Sequence, residues 1–282
     1  MRVVLAALVF LPLAARAESH YLPREIIDRP LLLPSNVVEL DVLGNLSSTS
    51  GASAGAAAAV GIELGLGDGE AGLVVALPAV PGLGFGSVYG SAAWSIRKDS
   101  AFRIDLGLDH SQGDVGRPNE NFYTAGAGLI VSWRLAREWA LTLGQTRAIN
   151  FSRFVNVSLG GTGFYTGATA GFDSADLVVY SKEEDGPTQI SGSAPFGLLW
   201  QIDHGLAATF RFGYELVVST DGDRNGTQHF IPVGVDVVVT PVPTLDVGAS
   251  LSLAGQIAQT GASASAGFTD APMGALWLRL RL

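Results

Sequence analysis

Three kinds of short stretch in this chain hold residue types that do chemistry elsewhere. His110 directly precedes Ser111, a base beside a hydroxyl nucleophile. General-base activation needs the ring nitrogen within about 3 Å of the hydroxyl, and adjacent residues of a strand point to opposite faces. The pair therefore reads as a polar strand end, and no catalytic residue and no enzymatic activity are expected. "DGDRNG" at 221–226 has the spacing of the first half of a calcium loop, with Asp221, Asp223 and Asn225 as hard oxygen ligands and Gly226 at the sharp turn. The twelfth position, where a bidentate Glu would stand, is Pro232. A solvated hairpin tip is the first reading of this stretch and a calcium site the second. His20, His204 and His229 show no metal-ligand spacing, and no cofactor is expected.

The third kind is a set of charges that alternate with apolar residues. In "AFRIDLGLDH", Phe102, Ile104, Leu106 and Leu108 oppose Arg103, Asp105, Gly107 and Asp109. "GLAATFRFGYELVVS" sets Leu206, Phe210, Phe212, Tyr214 and Leu216 against Thr209, Arg211, Gly213 and Glu215. This is the period-two pattern of strands with one apolar and one polar face. About twelve such segments begin near residues 36, 55, 70, 87, 101, 122, 139, 188, 206, 228, 245 and 272. Most run ~10 to 14 residues, longer than the ~5 to 6 usual in soluble sheets and long enough for tilted membrane strands.

Composition says where such strands would lie. Apolar residues make up 48% against 15% charged, and 36 glycines are spread along the chain. No internal run reaches the roughly 18 apolar residues that a spanning helix needs. The one long apolar run, "VVLAALVFLPLAA", follows Arg2 and leads to Ala15-Arg16-Ala17, the pattern of a signal peptide (1–17) cleaved before Glu18. Residues 18–35 are then expected to be a short periplasmic segment, and 36–282 the barrel. Without Arg2 and Arg16, the 17 Lys and Arg become 15 against 26 acidic residues, a charge of −11 that disfavours nucleic acid as a partner. The chain has no cysteine, so stability must come from a large cooperative fold.

The connections alternate in length. "GDGE", "RKDS", "AREW", "DHG" and "TPVPT" are short, while 113–121, 151–187, 220–227 and 256–271 are long. Short turns at one end and long loops at the other are the habit of outer-membrane barrels. Trp94, Trp133, Trp139 and Trp200 all fall near short turns and face outward in this register, as an interfacial girdle would. Trp277 falls at the same level but on the inward parity.

The chain resembles Gram-negative outer-membrane β-barrel proteins over about residues 36–282. Its "REIIDRPLLLPSNVVELDV" is similar to the opening of a family of small outer-membrane barrels described as transporters, including those associated with phenol meta-pathway degradation. The resemblance implies an all-β, antiparallel transmembrane barrel in a bacterial outer membrane. Its partners would be the barrel-assembly machinery, outer-membrane lipid, lipopolysaccharide and a small-molecule solute. Barrel phospholipases and lipid A deacylases separate their His and Ser by one residue before an Asn-Gly, which "HSQGD" lacks.

The inward set is then Glu39, Asp41, Glu63, Arg97, Arg103, Asp105, Asp109, Arg134, Arg211, Glu215, Asp236, Asp246, Arg279 and Arg281. Such charges either line an aqueous path or pair into a bridge, because burying them unpaired costs several kcal/mol each. The expected function is passive passage of small molecules through a charged lumen. An occluded structural or adhesive barrel whose outer loops bind a partner is the alternative, and a lipid-modifying barrel enzyme comes third. In the closing "GALWLRLRL", the leucines should face lipid and Arg279 and Arg281 the lumen, opposite Glu39 and Asp41 of the first strand.

Overall fold

The computed structural model describes residues 22–47, 55–78, 87–111, 120–144, 176–183, 188–220, 226–261 and 271–282. Strands β1 (Val38–Ser47), β2 (Gly55–Gly65), β3 (Gly69–Pro78), β4 (Ser87–Arg97), β5 (Ser100–Ser111) and β6 (Glu120–Arg134) form one wall. β7 (Trp139–Leu143), β8 (Asp176–Glu183), β9 (Thr188–Asp203), β10 (Leu206–Thr220), β11 (Gly226–Val242), β12 (Leu245–Gly261) and β13 (Ala271–Arg281) complete the sheet. Each strand pairs antiparallel with its neighbours, and β13 pairs with β1, so the sheet closes.

Among the described residues, thirteen strands occupy twelve positions around this barrel. β7 pairs with β6 from Val131↔Leu143 to Arg134↔Ala140, and β8 takes over the same position from Gly128↔Asp176 to Phe122↔Glu183. Gly144, at φ 75°, follows the last residue of β7. A side chain there would also place its Cβ 2.3 Å from the Leu129 carbonyl oxygen. The long connection expected over 151–187 contains a strand, since Asp176–Glu183 returns to the wall. Eight residues with one-sided polarity were too short a signal to separate from a polar loop.

The inside-out distribution follows from the alternation. Leu106, Leu276 and Val60 stand 62%, 70% and 57% exposed on the outer face, while the inward Arg279 is 0% exposed. In water this would be a defect; against lipid it is the stable arrangement, because closure leaves no unpaired strand edge in the hydrocarbon. Trp94 and Trp133 are exposed on that outer face. Trp139 and Trp200 stack across β7 and β9 with ring centroids 5.3 Å apart.

The residues ahead of β1 are not a free tail. Ile26–Asp28 form one 3-10 turn, and Leu22, Ile26, Leu32, Leu33 and Val37 are buried. Ile26 joins the inward residues Leu43, Ala59, Val74, Tyr89 and Trp277 in one apolar cluster. Leu32 packs with Ala93, Ala101 and Ile130 of β4, β5 and β6. The segment therefore lies across the lumen at the short-turn end.

Candidate functional site

The site is built from inward-facing side chains on strands around the barrel and from the segment crossing its mouth. Antiparallel closure puts Glu39 opposite Arg281 and Asp41 opposite Arg279. Arg279 Nε lies 2.9 Å from both Glu39 Oε1 and Asp41 Oδ1, and Arg281 Nε lies 2.9 Å from Glu39 Oε2. Arg281 reaches the other way to Asp246 on β12. The closure contact expected from the last strand is thus present as a ladder running β1–β13–β12.

Two further pairs line the wall. Arg103 Nε donates to both oxygens of Asp105, at 3.1 and 3.0 Å. Arg211 Nε lies 2.7 Å from Asp236 Oδ2, across β10 and β11. Glu63 and Glu215 are also buried. Two members of the inward set stand elsewhere: Arg97 is exposed at the end of β4, and Arg134 is exposed at the mouth, where it meets Asp28. Their parity is inward, but their strands end before the wall covers them. The side chain of Asp109, and Asp221, Asp223 and Asn225 of the suggested calcium loop, lie outside the described residues. Carboxylates of Glu39, Asp41 and Glu63 do come within 4.8 Å of one another. The Arg279 guanidinium already occupies two of the three.

Several site residues were not singled out from sequence. Arg29 donates through Nη1 to Asp246 Oδ2 at 2.6 Å and through Nη2 to Asp246 Oδ1 and Thr240 Oγ1, each at 2.9 Å. Glu70 Oε2 accepts the Leu33 N–H at 2.8 Å, and Gln201 Oε1 accepts that of Ile27 at 3.2 Å. At the rim, Glu25 meets His204. The one legible signal was an arginine among the apolar residues of "REIIDRPLLLP", too common a pattern to assign a partner. Trp277 lies over Gly248, with the Arg279 guanidinium 5.5 Å above its ring. Its inward parity is therefore a packing solution: an indole fills the space a glycine leaves on the next strand.

The hydrogen bond from Arg134, and then Glu25, holds the Asp28 carboxyl below the ordinary value of 3.8. A depressed carboxyl adds stability that is present above the unfolded value and lost as pH falls through the folded one. Both side chains are about two-fifths exposed, so screening limits the pair to roughly 0.2–1 kcal/mol. Below about pH 4 the rim contact should loosen, and Asp28→Asn should remove that pH-dependent part. Protease accessibility at the buried Leu32, measured from pH 3 to 7 in both forms, checks this; identical profiles would refute it.

No protein-family model matches this chain, and no curated protein matches it in sequence. Among solved structures, the β domain of the Bordetella autotransporter BrkA superposes with a TM-score of 0.50 at 12% identity, covering 87% of this chain and 99% of that one. LpxR from Salmonella typhimurium gives 0.47 at 9% identity over 86% and 99%. The translocator domain of the autotransporter NalP from Neisseria meningitidis gives 0.46 at 11% identity over 87% and 88%. The fold is that of Gram-negative outer-membrane β-barrels. The expectation that the chain is not an enzyme is corrected: a barrel of this fold hosts enzymes as well as pores, which leaves catalysis open.

Proposed function

We propose that this chain sits in a bacterial outer membrane as a barrel for conditional passage of small molecules, shut at rest at its short-turn, periplasmic end. One observation carries the reading: the chain's own N-terminal segment fills the mouth of the lumen. Several inward positions of the wall are small, among them Ala59, Gly128, Gly197, Ala207 and Ala275, so the segment supplies bulk that these positions lack. The unconditional, passive passage through a charged lumen expected from sequence fits less well. Asp41, Arg103, Arg211 and Arg279 are buried and ion-paired, whereas a conducting path needs water at such groups.

A second reading, a shut barrel that presents its outer loops to a partner, is favoured by the uneven wall. β9 to β12 run 15 to 17 residues, beyond the ~9–11 that cross the hydrocarbon, while β1 to β4 run only 10 or 11. Purified full-length protein, with insertion verified by its heat-dependent gel mobility, should give a silent planar bilayer. Regular stepwise conductance from the unaltered chain would overturn the shut resting state.

A further inference from the structure

The seated N-terminal segment divides its contacts in a way that bears on whether it can leave. Arg29 Nε donates to the Pro23 carbonyl at 2.8 Å and Nη2 to that of Arg24 at 3.3 Å, so the segment is wound around its own arginine. The Asp28 and Arg29 N–H groups close the 3-10 turn onto Glu25 and Ile26. These bonds lie within the segment and can travel with it.

Two of the wall groups that receive it have partners of their own. Asp246 accepts from the Thr240 hydroxyl at 2.7 Å and is paired with Arg281, so it keeps a donor and a cation without Arg29. The Gln201 amide donates to the carbonyls of Asp203 and Leu206, which hold it in place whether or not Ile27 is present. A plug fixed for good would leave orphaned buried charge on withdrawal, a cost of several kcal/mol per ion. Here the wall carboxylate keeps a guanidinium, shared with Glu39, and a hydroxyl from within the wall.

We propose that Leu22–Val37 is a releasable plug, with Arg29 as the pin that inserts between Thr240 and Asp246 and sets its register. The buried apolar side chains, from Leu22 to Val37, hold the seated state, and the rim contacts Glu25–His204 and Asp28–Arg134 close it against the short turns. Release of the segment as a unit clears the lumen mouth. This inference rests on the shut-barrel reading and adds to it what shuts the barrel and how it opens.

The chain has no cysteine, so thiols can be placed without background. Glu25→Cys with His204→Cys puts two thiols where the native side chains touch, and a short cleavable thiol-to-thiol linker would lock the segment to the wall. In that background, Arg29→Ala should raise the frequency of open events in planar bilayers about tenfold or more, the weight of one set of charge-assisted hydrogen bonds. Locking should silence it, and cleaving the linker should restore the events. The locked and released states serve as each other's folding control. Arg29→Ala that stays silent while Leu32, buried in the seated segment, becomes accessible to chymotrypsin would overturn the plug as the gate and leave the shut barrel standing. Silence with Leu32 still protected would overturn Arg29 as the pin. Conductance that locking does not alter would overturn the proposal, and equal conductance from the unaltered chain would overturn the shut-barrel reading beneath it.

Discussion

Arg279→Glu combined with Arg281→Glu should abolish the folded, heat-modifiable form of the barrel. The two guanidiniums are 0% and 4% exposed, and between them they pair with Glu39, Asp41 and Asp246. Breaking a buried pair by removing one partner costs about 3–5 kcal/mol, because the remaining charge is left uncompensated. Reversal does more than remove: five carboxylates would crowd the seam where β13 must pair with β1. Two such losses, about 6–10 kcal/mol before the added repulsion, take most or all of a total stability of ~5–15 kcal/mol. The matching reversal, Glu39→Arg with Asp41→Arg in the same chain, should restore part of the fold by rebuilding the ladder with opposite polarity. The check is the temperature at which the folded band shifts on a gel. An unchanged transition in the Arg279→Glu, Arg281→Glu form would show that the seam is held by backbone pairing alone.

Gly248→Val should destabilise the barrel by roughly 1–3 kcal/mol, the usual cost of forcing extra carbon into a packed site. A Cβ at Gly248 would meet Trp277 Cε2 and Cζ2 at 2.1 Å, so the indole must leave its place over the strand and its contact with Arg279. Trp277→Ala should cost more, about 3–5 kcal/mol, by opening a cavity in the inward cluster that also holds Leu43, Tyr89 and Ile26. The two changes should not add. Once the indole is gone, valine at 248 has room and refills part of the void, so the double variant should be more stable than Trp277→Ala alone. A double-mutant cycle by urea unfolding measures that coupling. Strict additivity would mean that the indole does not occupy the space above Gly248 in the folded barrel.

Much of the wall was legible because period-two alternation is a local property. The expected starts at 55, 87, 139, 188, 206 and 245 coincide with those of β2, β4, β7, β9, β10 and β12. The pairing of Arg279 and Arg281 with Asp41 and Glu39 was legible too. Closure must bring the last strand beside the first, and their inward residues then carry opposite charge at matching positions. What failed locally is where the pattern was interrupted. The strand begun at Trp139 stops at Leu143, and Asp176–Glu183 finishes its place in the wall. Nothing along the intervening chain announces that two pieces this far apart share one position.

The sequence by itself determined the class of fold, which face of each strand meets lipid, and the sign of the charge at the seam. Each of these depends only on neighbours one or two residues away, or on the single constraint that a membrane sheet must close. The tertiary structure alone decided what stands inside the closed sheet. Arg29 meets Asp246 and Thr240 across separations of 217 and 211 residues, and Trp277 lies over Gly248 because strand register brings them level. Whether an inward charge faces water or a partner is set by how the chain's own segments share the lumen. That sharing is a balance of volume and charge over the whole barrel, which alternation along any one strand does not record.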